Sequence, residues 1–109
     1  MPVKFRDDWD TLTRINWLQR MIIVLSIAYY EFDESLVSDY KYDNWVQQLK
    51  QLMDECPDKK QSRYWYAYTG WTGATGCELY YKLNDADRQR LTEHAAFAIK
   101  TMNTIGRGE

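Results

Sequence analysis

Tyr64-Trp65-Tyr66-Ala67-Tyr68 decides how this chain is read. Aromatic residues at four of these five positions favour a strand, because rings fit the half-buried surface of a pleated sheet. Residues 69–76 follow with Gly70, Gly73 and Gly76, a composition that turns the chain. Cys77-Glu78-Leu79-Tyr80-Tyr81-Lys82-Leu83 then supplies a second strand candidate, so the pair predicts a β-hairpin. Asn84 next caps a closing helix, with Asp87 placed as in a capping box. Leu91, Ala95, Ala98, Ile99 and Met102 give that helix its buried face, and Gly106 is its expected stop.

Upstream of this region the apolar period is helical. Leu12, Ile15, Leu18, Ile22, Leu25 and Tyr29 recur at three and four, and Trp17, Met21, Val24 and Ala28 widen the stripe, which predicts a first helix over residues 8–31. The period breaks at Phe32-Asp33-Glu34-Ser35-Leu36-Val37. Ser38 then offers a cap and Asp39 a first-turn acid, and Tyr42, Trp45, Val46, Leu49, Leu52 and Met53 carry a second helix to Cys56-Pro57. So short a connection implies an antiparallel helical hairpin. The expected fold is therefore α+β: a helical hairpin, a β-hairpin and a C-terminal helix, the last two over residues 62–105, in one domain spanning residues 1–109.

With 109 residues the chain suits one modest core and leaves no room for a second catalytic domain. Its 14 Lys+Arg against 16 Asp+Glu give a formal charge of -2, so the strong basic field of a dedicated nucleic-acid binder is missing and nucleic acid is not an expected partner. The run Met21-Ile22-Ile23-Val24-Leu25-Ser26-Ile27-Ala28-Tyr29-Tyr30 falls short of the ~20 apolar residues of a spanning helix, which predicts no membrane association. The acidic start Asp7-Asp8 does not look like a secretory leader, and a cytoplasmic location is expected. Cys56 and Cys77 then read as free thiols. Those cysteines and His94, the single histidine, lack the paired spacing of a zinc site, and nothing in the sequence orients a Cys77–His94 catalytic pair.

Two features invite a binding reading. The first is Tyr29-Tyr30-x-x-Asp33 followed by Val37-Ser38-Asp39-x-x-Tyr42-Asp43, where the spacing puts 39, 42 and 43 on one helix face beside the end of the first helix. Phenols and carboxylates converging there suit a flat cationic ring, although core packing of Tyr29 and Tyr42 and simple helix-end stabilisation by Asp39 explain the same residues. The second feature is the aromatic excess, 16% of the chain, which makes Trp71, Tyr64, Tyr66 and Tyr68 candidate anchors for a host protein partner.

The segment over residues 22–57, Tyr29-Tyr30-x-x-Asp33-x-x-x-Val37-Ser38-Asp39-x-x-Tyr42-Asp43 with Leu49, Leu52, Glu55 and Pro57 behind it, resembles the N-terminal helical subdomain of NAD-dependent DNA ligases. The resemblance implies binding of the nicotinamide mononucleotide half of NAD, with Tyr29, Tyr30, Asp39, Tyr42 and Asp43 as the nicotinamide-ribose contacts. Tyr30 stands where many of those ligases carry histidine, so no imidazole role is carried over.

The rest of the sequence departs from the ligase pattern. Lys41-Tyr42-Asp43-Asn44 mimics the Lys-x-Asp-Gly string of the nucleotidyltransferase centre but lacks its glycine and lies in a helix. Gly70-x-x-Gly73-x-x-Gly76 matches no phosphate-loop fingerprint and reads as a hairpin loop. The helix-hairpin-helix order, with Gly73-x-x-Gly76-x-x-Leu79, is similar to small proteins of bacteriophages and prophages. The expectation is a non-catalytic phage-type accessory protein that requires no cofactor and binds nicotinamide mononucleotide or NAD weakly. The competing expectation is a viral protein that modulates or inhibits a host replication or defence nuclease through its aromatic surface.

Overall fold

The computed structural model of the protein describes residues 5–69, 71 and 77–104, without the side chains of 77, 78 and 102–104. Helix α1, Thr11–Phe32, starts where the Asp10 carboxylate accepts the Thr13 N–H at 2.8 Å. Residues 22–28 are buried on every side of the helix, so α1 is the central element, packed by helices that follow it in the chain. It stops at Asp33, whose φ of 55° puts it in the left-handed region; its N–H donates to the Ala28 carbonyl, as does the Glu34 N–H at 2.9 Å.

Helix α2, Asp39–Glu55, runs as the sequence predicts: the Lys41 N–H donates to the Ser38 hydroxyl at 3.1 Å, and Trp45, Val46, Leu49 and Met53 face α1 as the buried row. A 3-10 turn over Lys59–Gln61 returns the chain to the core.

The expected β-hairpin does not form. Its place is taken by two short helices, α3 over Trp65–Tyr68 and α4 over Cys77–Lys82, and among the described residues there is no strand. The domain is all-helical rather than α+β. The burial pattern gives the reason: Tyr64, Ala67 and Tyr68 are buried while Tyr66 is exposed, a three-and-four rhythm, and Leu79 and Leu83 repeat it. Aromatic strand preference reflects packing on a pleated surface, and here the rings pack on a helix instead. The Tyr68 hydroxyl donates to the Gln19 carbonyl of α1 at 2.7 Å. Gly70, Gly73 and Gly76 lie outside the described residues.

Helix α5, Asp85–Thr104, is capped as expected by Asn84, whose Oδ1 accepts the Asp87 N–H at 2.7 Å. The reciprocal half of a capping box is replaced: the Asn84 N–H donates to the Tyr66 hydroxyl at 3.3 Å, not to Asp87. Arg88 turns back to hold the end of α4, donating to the carbonyls of Tyr80 at 3.1 Å and Leu83 at 2.8 Å. Leu91 and Ala95 are buried, and Ala98 and Ile99 are half-buried. Gly106 lies outside the described residues, as does the side chain of Met102. No helix among the described residues is long and apolar enough to cross a membrane.

Candidate functional site

The mouth of the α1–α2 hairpin collects the first set of candidate residues. The left-handed cap at Asp33 turns the chain, the Ser35 hydroxyl donates to the Val37 carbonyl at 2.9 Å, and α2 sets off beside the last turns of α1. Tyr29 and Tyr30 meet edge to face, with ring centroids 5.0 Å apart and planes at 88°, and stand 54% and 52% exposed. Asp39 and Asp43, one helical turn apart on α2, are both exposed.

Tyr42 lies between them and turns inward. Its hydroxyl sits 3.0 Å from the Ser26 hydroxyl, which in turn donates to the Ile22 carbonyl at 2.8 Å. Burial pushes the Tyr42 phenol above its ordinary pKa; the Ser26 hydroxyl works against that rise, and Tyr30 and Asp43 add to it. Tyr42 thus stays protonated at neutral pH and senses both Tyr30 and Asp43. Rings with exposed faces, flanking carboxylates and a protonated phenol can hold a flat cation by ring-face attraction, charge and hydrogen bonding.

The aromatic set read as a partner surface is scattered. Tyr64 and Tyr68 are core residues. Trp71 folds back onto Tyr68 edge to face, with centroids 4.8 Å apart, and its indole N–H is buried with no acceptor among the described residues. Tyr66 is exposed along its ring, but its hydroxyl donates to Asp87.

Two polar centres escape the sequence reading. Gln19 is fully buried: its Nε2 donates to the Ser62 hydroxyl at 2.9 Å and its Oε1 accepts the Tyr64 N–H at 3.2 Å. Its position on the same stripe as Ile15 and Ile22 is the signal that could have found it. Asp87, its side chain 4% exposed, accepts from Arg63 Nη2 at 2.9 Å, from Arg90 and from Tyr66. Burial raises its carboxyl pKa, but the hydrogen bonds from Tyr66, Arg63 and Arg90 together outweigh burial and hold it below the ordinary range. The Arg90 pairing is legible from i,i+3 spacing; that of Arg63, 24 residues away, is not.

Cys56 is buried and free, and among the described residues no group of three or more His, Cys, Asp and Glu is arranged to hold a metal. His94 is half-buried on α5. Burial and the neighbouring Arg20 guanidinium lower its pKa.

This architecture is of the helical-hairpin class, with phenols and carboxylates displayed at the turn. Residues 9–62, which span α1, α2 and the 3-10 turn, match the family model described as DNA ligase-like, N-terminal NAD+-binding domain, so the chain contains a domain of that kind. The comparisons with curated proteins and with solved structures return no match. The family match carries no indication of a phage or prophage setting, and the helix-hairpin-helix order that suggested one is not the order observed.

Proposed function

We propose that the α1–α2 hairpin binds the nicotinamide mononucleotide half of NAD at Tyr29, Tyr30, Asp39, Tyr42 and Asp43, as a binding rather than a catalytic unit. The observation that carries this reading is a coincidence of position: the segment matching an NAD+-binding domain is the one that displays the paired rings and flanking carboxylates. A pyridinium ring is flat and cationic, the type of ligand that ring faces and acids together favour over water. Support for binding without turnover comes from Tyr42, whose proton is held by burial, the reverse of what an activated nucleophile or base needs. A ligand held on one open face buries little surface, so the affinity is weak, in the range of about 0.1 to 1 mM.

Calorimetric titration with nicotinamide mononucleotide and NAD tests the reading, beside Asp39→Ala and Tyr42→Phe. Saturable binding that both substitutions weaken is expected. No saturation at millimolar ligand removes the proposal.

A further inference from the structure

Four basic side chains close a ring around the seam between α1 and α5. Arg63 and Arg90 both donate to the Asp87 carboxylate, Arg63 through Nη2 at 2.9 Å. His94 stands one helical turn beyond Arg90 on α5, and the charge that acts on its imidazole, after burial, is that of Arg20 on α1. Asn16 precedes Arg20 by one turn, and its Oδ1 accepts the Arg63 N–H at 2.7 Å, which brings the circuit back to its start. Arg20 and His94 are half-buried, and the side chains of Arg63 and Arg90 are 49% and 50% exposed, so the ring is open to solvent.

The charges of this ring do not balance. Three guanidiniums share one carboxylate, and Asp87 is already taken by Arg63, Arg90 and Tyr66. Arg20 forms no ion pair among the described residues, and its Nε is buried with no acceptor among them. A buried donor left in that state costs free energy until an acceptor arrives. The nearby acids of α5 are engaged elsewhere, Asp85 with Arg88 and Glu93 with the Gln89 amide. On a chain whose formal charge is -2, a local surplus of two positive charges belongs to this seam and is not a property of the whole surface.

We infer that the α1–α5 seam is an anion site that takes the phosphoryl group of a small phosphorylated molecule, held by Arg20, Arg63, Arg90 and His94. Guanidinium groups pair with phosphate through charge-assisted hydrogen bonds, and the surplus of two charges equals that of a phosphate dianion. Each guanidinium has five N–H donors, of which Asp87 and the Tyr64 hydroxyl use only part. Asp87 fixes Arg63 and Arg90 on one side, while Arg20, with no internal partner, supplies the free charge on the other. Donors that arrive from two helices and from the link before α3 suit a tetrahedral group better than a flat carboxylate. The seam is separate from the hairpin mouth, since Arg20 precedes Tyr29 by about 14 Å along α1 at 1.5 Å per residue, and it does not depend on the nicotinamide reading.

His94 is the single histidine, so its ring signals in a proton NMR spectrum of the full chain assign themselves. Titration with inorganic phosphate and with pyrophosphate at constant ionic strength is expected to move those signals saturably at millimolar ligand, and chloride or malonate is not. Arg20→Gln is expected to weaken pyrophosphate binding about tenfold, the scale of one charge-assisted hydrogen bond, and to leave the urea midpoint unchanged or raised, because Arg20 has no partner to lose. Should Arg20→Gln fail to fold, Arg63→Gln, half exposed and with Arg90 still on Asp87, reads the same loss of binding. Shifts of equal size with chloride or malonate, no saturation with either phosphate, or pyrophosphate binding that survives both Arg20→Gln and Arg63→Gln overturns the inference. A single-stranded oligodeoxynucleotide that binds more tightly than pyrophosphate at physiological salt overturns the small-molecule assignment and makes the seam a nucleic-acid surface.

Discussion

Gln19 and Ser62 are joined inside the protein, the amide nitrogen of one donating to the hydroxyl of the other at 2.9 Å across 43 residues of chain. The Gln19 carboxamide oxygen takes the Tyr64 N–H, and the Gln19 backbone carbonyl takes the Tyr68 hydroxyl. One residue of α1 thus satisfies the polar groups of the segment that leads into α3. Gln19→Ala removes the side-chain bonds to Ser62 and Tyr64 and leaves the buried Tyr64 N–H without its acceptor, beside a cavity, while the Ser62 hydroxyl keeps its bond to the Lys59 carbonyl. A loss of about 2–4 kcal/mol is expected, read in urea unfolding as a lower midpoint at unchanged slope. A midpoint within error of wild type would show that water replaces the amide.

Asp87 ties Arg63 and Arg90 to the start of α5, and its lowered carboxyl pKa makes stability depend on pH. The sign follows from protons bound: below the ordinary carboxyl value of 3.8 the unfolded chain takes up the proton more readily than the fold. The contribution is complete above that value and is lost as pH falls through the lowered one. Asp87→Asn should cost roughly 1–3 kcal/mol at pH 7, since both arginines are half exposed and rehydrate in part. It should also flatten the acid limb of the stability profile. A profile unchanged from wild type below pH 4 would refute the assignment.

His94 acts in a separate pH range. Its pKa is lowered by burial and by Arg20, so the fold holds it neutral while the unfolded chain protonates near 6.5. Stability should fall as pH drops from 6.5 toward the lowered value, and His94→Gln should remove that slope. Thermal unfolding at a series of pH values from 7 to 5 reads it directly.

How far the sequence reaches depends on the period of each segment. Helices α1, α2 and α5 were legible because their apolar residues recur at three and four over several turns and their caps, Ser38 and Asn84, stand at the right positions. The segment over residues 64–68 is too short to show a period, and its rings suggest a strand, whereas the fold buries Ala67 and Tyr68 together with the Tyr68 hydroxyl on the Gln19 carbonyl. At the candidate site, the one-turn spacing of Asp39 and Asp43, both exposed on α2, was legible in the sequence. The inward turn of Tyr42 onto Ser26 was not, since it depends on how α2 lies along α1. Arg63 finds Asp87 only in the folded chain.

Tyr29 and Tyr30 separate binding from folding. Both are more than half exposed, so Tyr29→Ala should change stability by no more than about 0.5 kcal/mol while weakening nicotinamide mononucleotide binding severalfold. A stability loss equal to that of a core substitution would place the ring in the fold instead.

The central claim is that ligand sits at the hairpin mouth, and residue-resolved NMR titration with nicotinamide mononucleotide tests it most directly. The account predicts saturable shifts confined to Tyr29, Tyr30, Asp39, Tyr42, Asp43 and their neighbours across the α1–α2 turn. Saturable shifts centred elsewhere, or none at millimolar ligand, would contradict it.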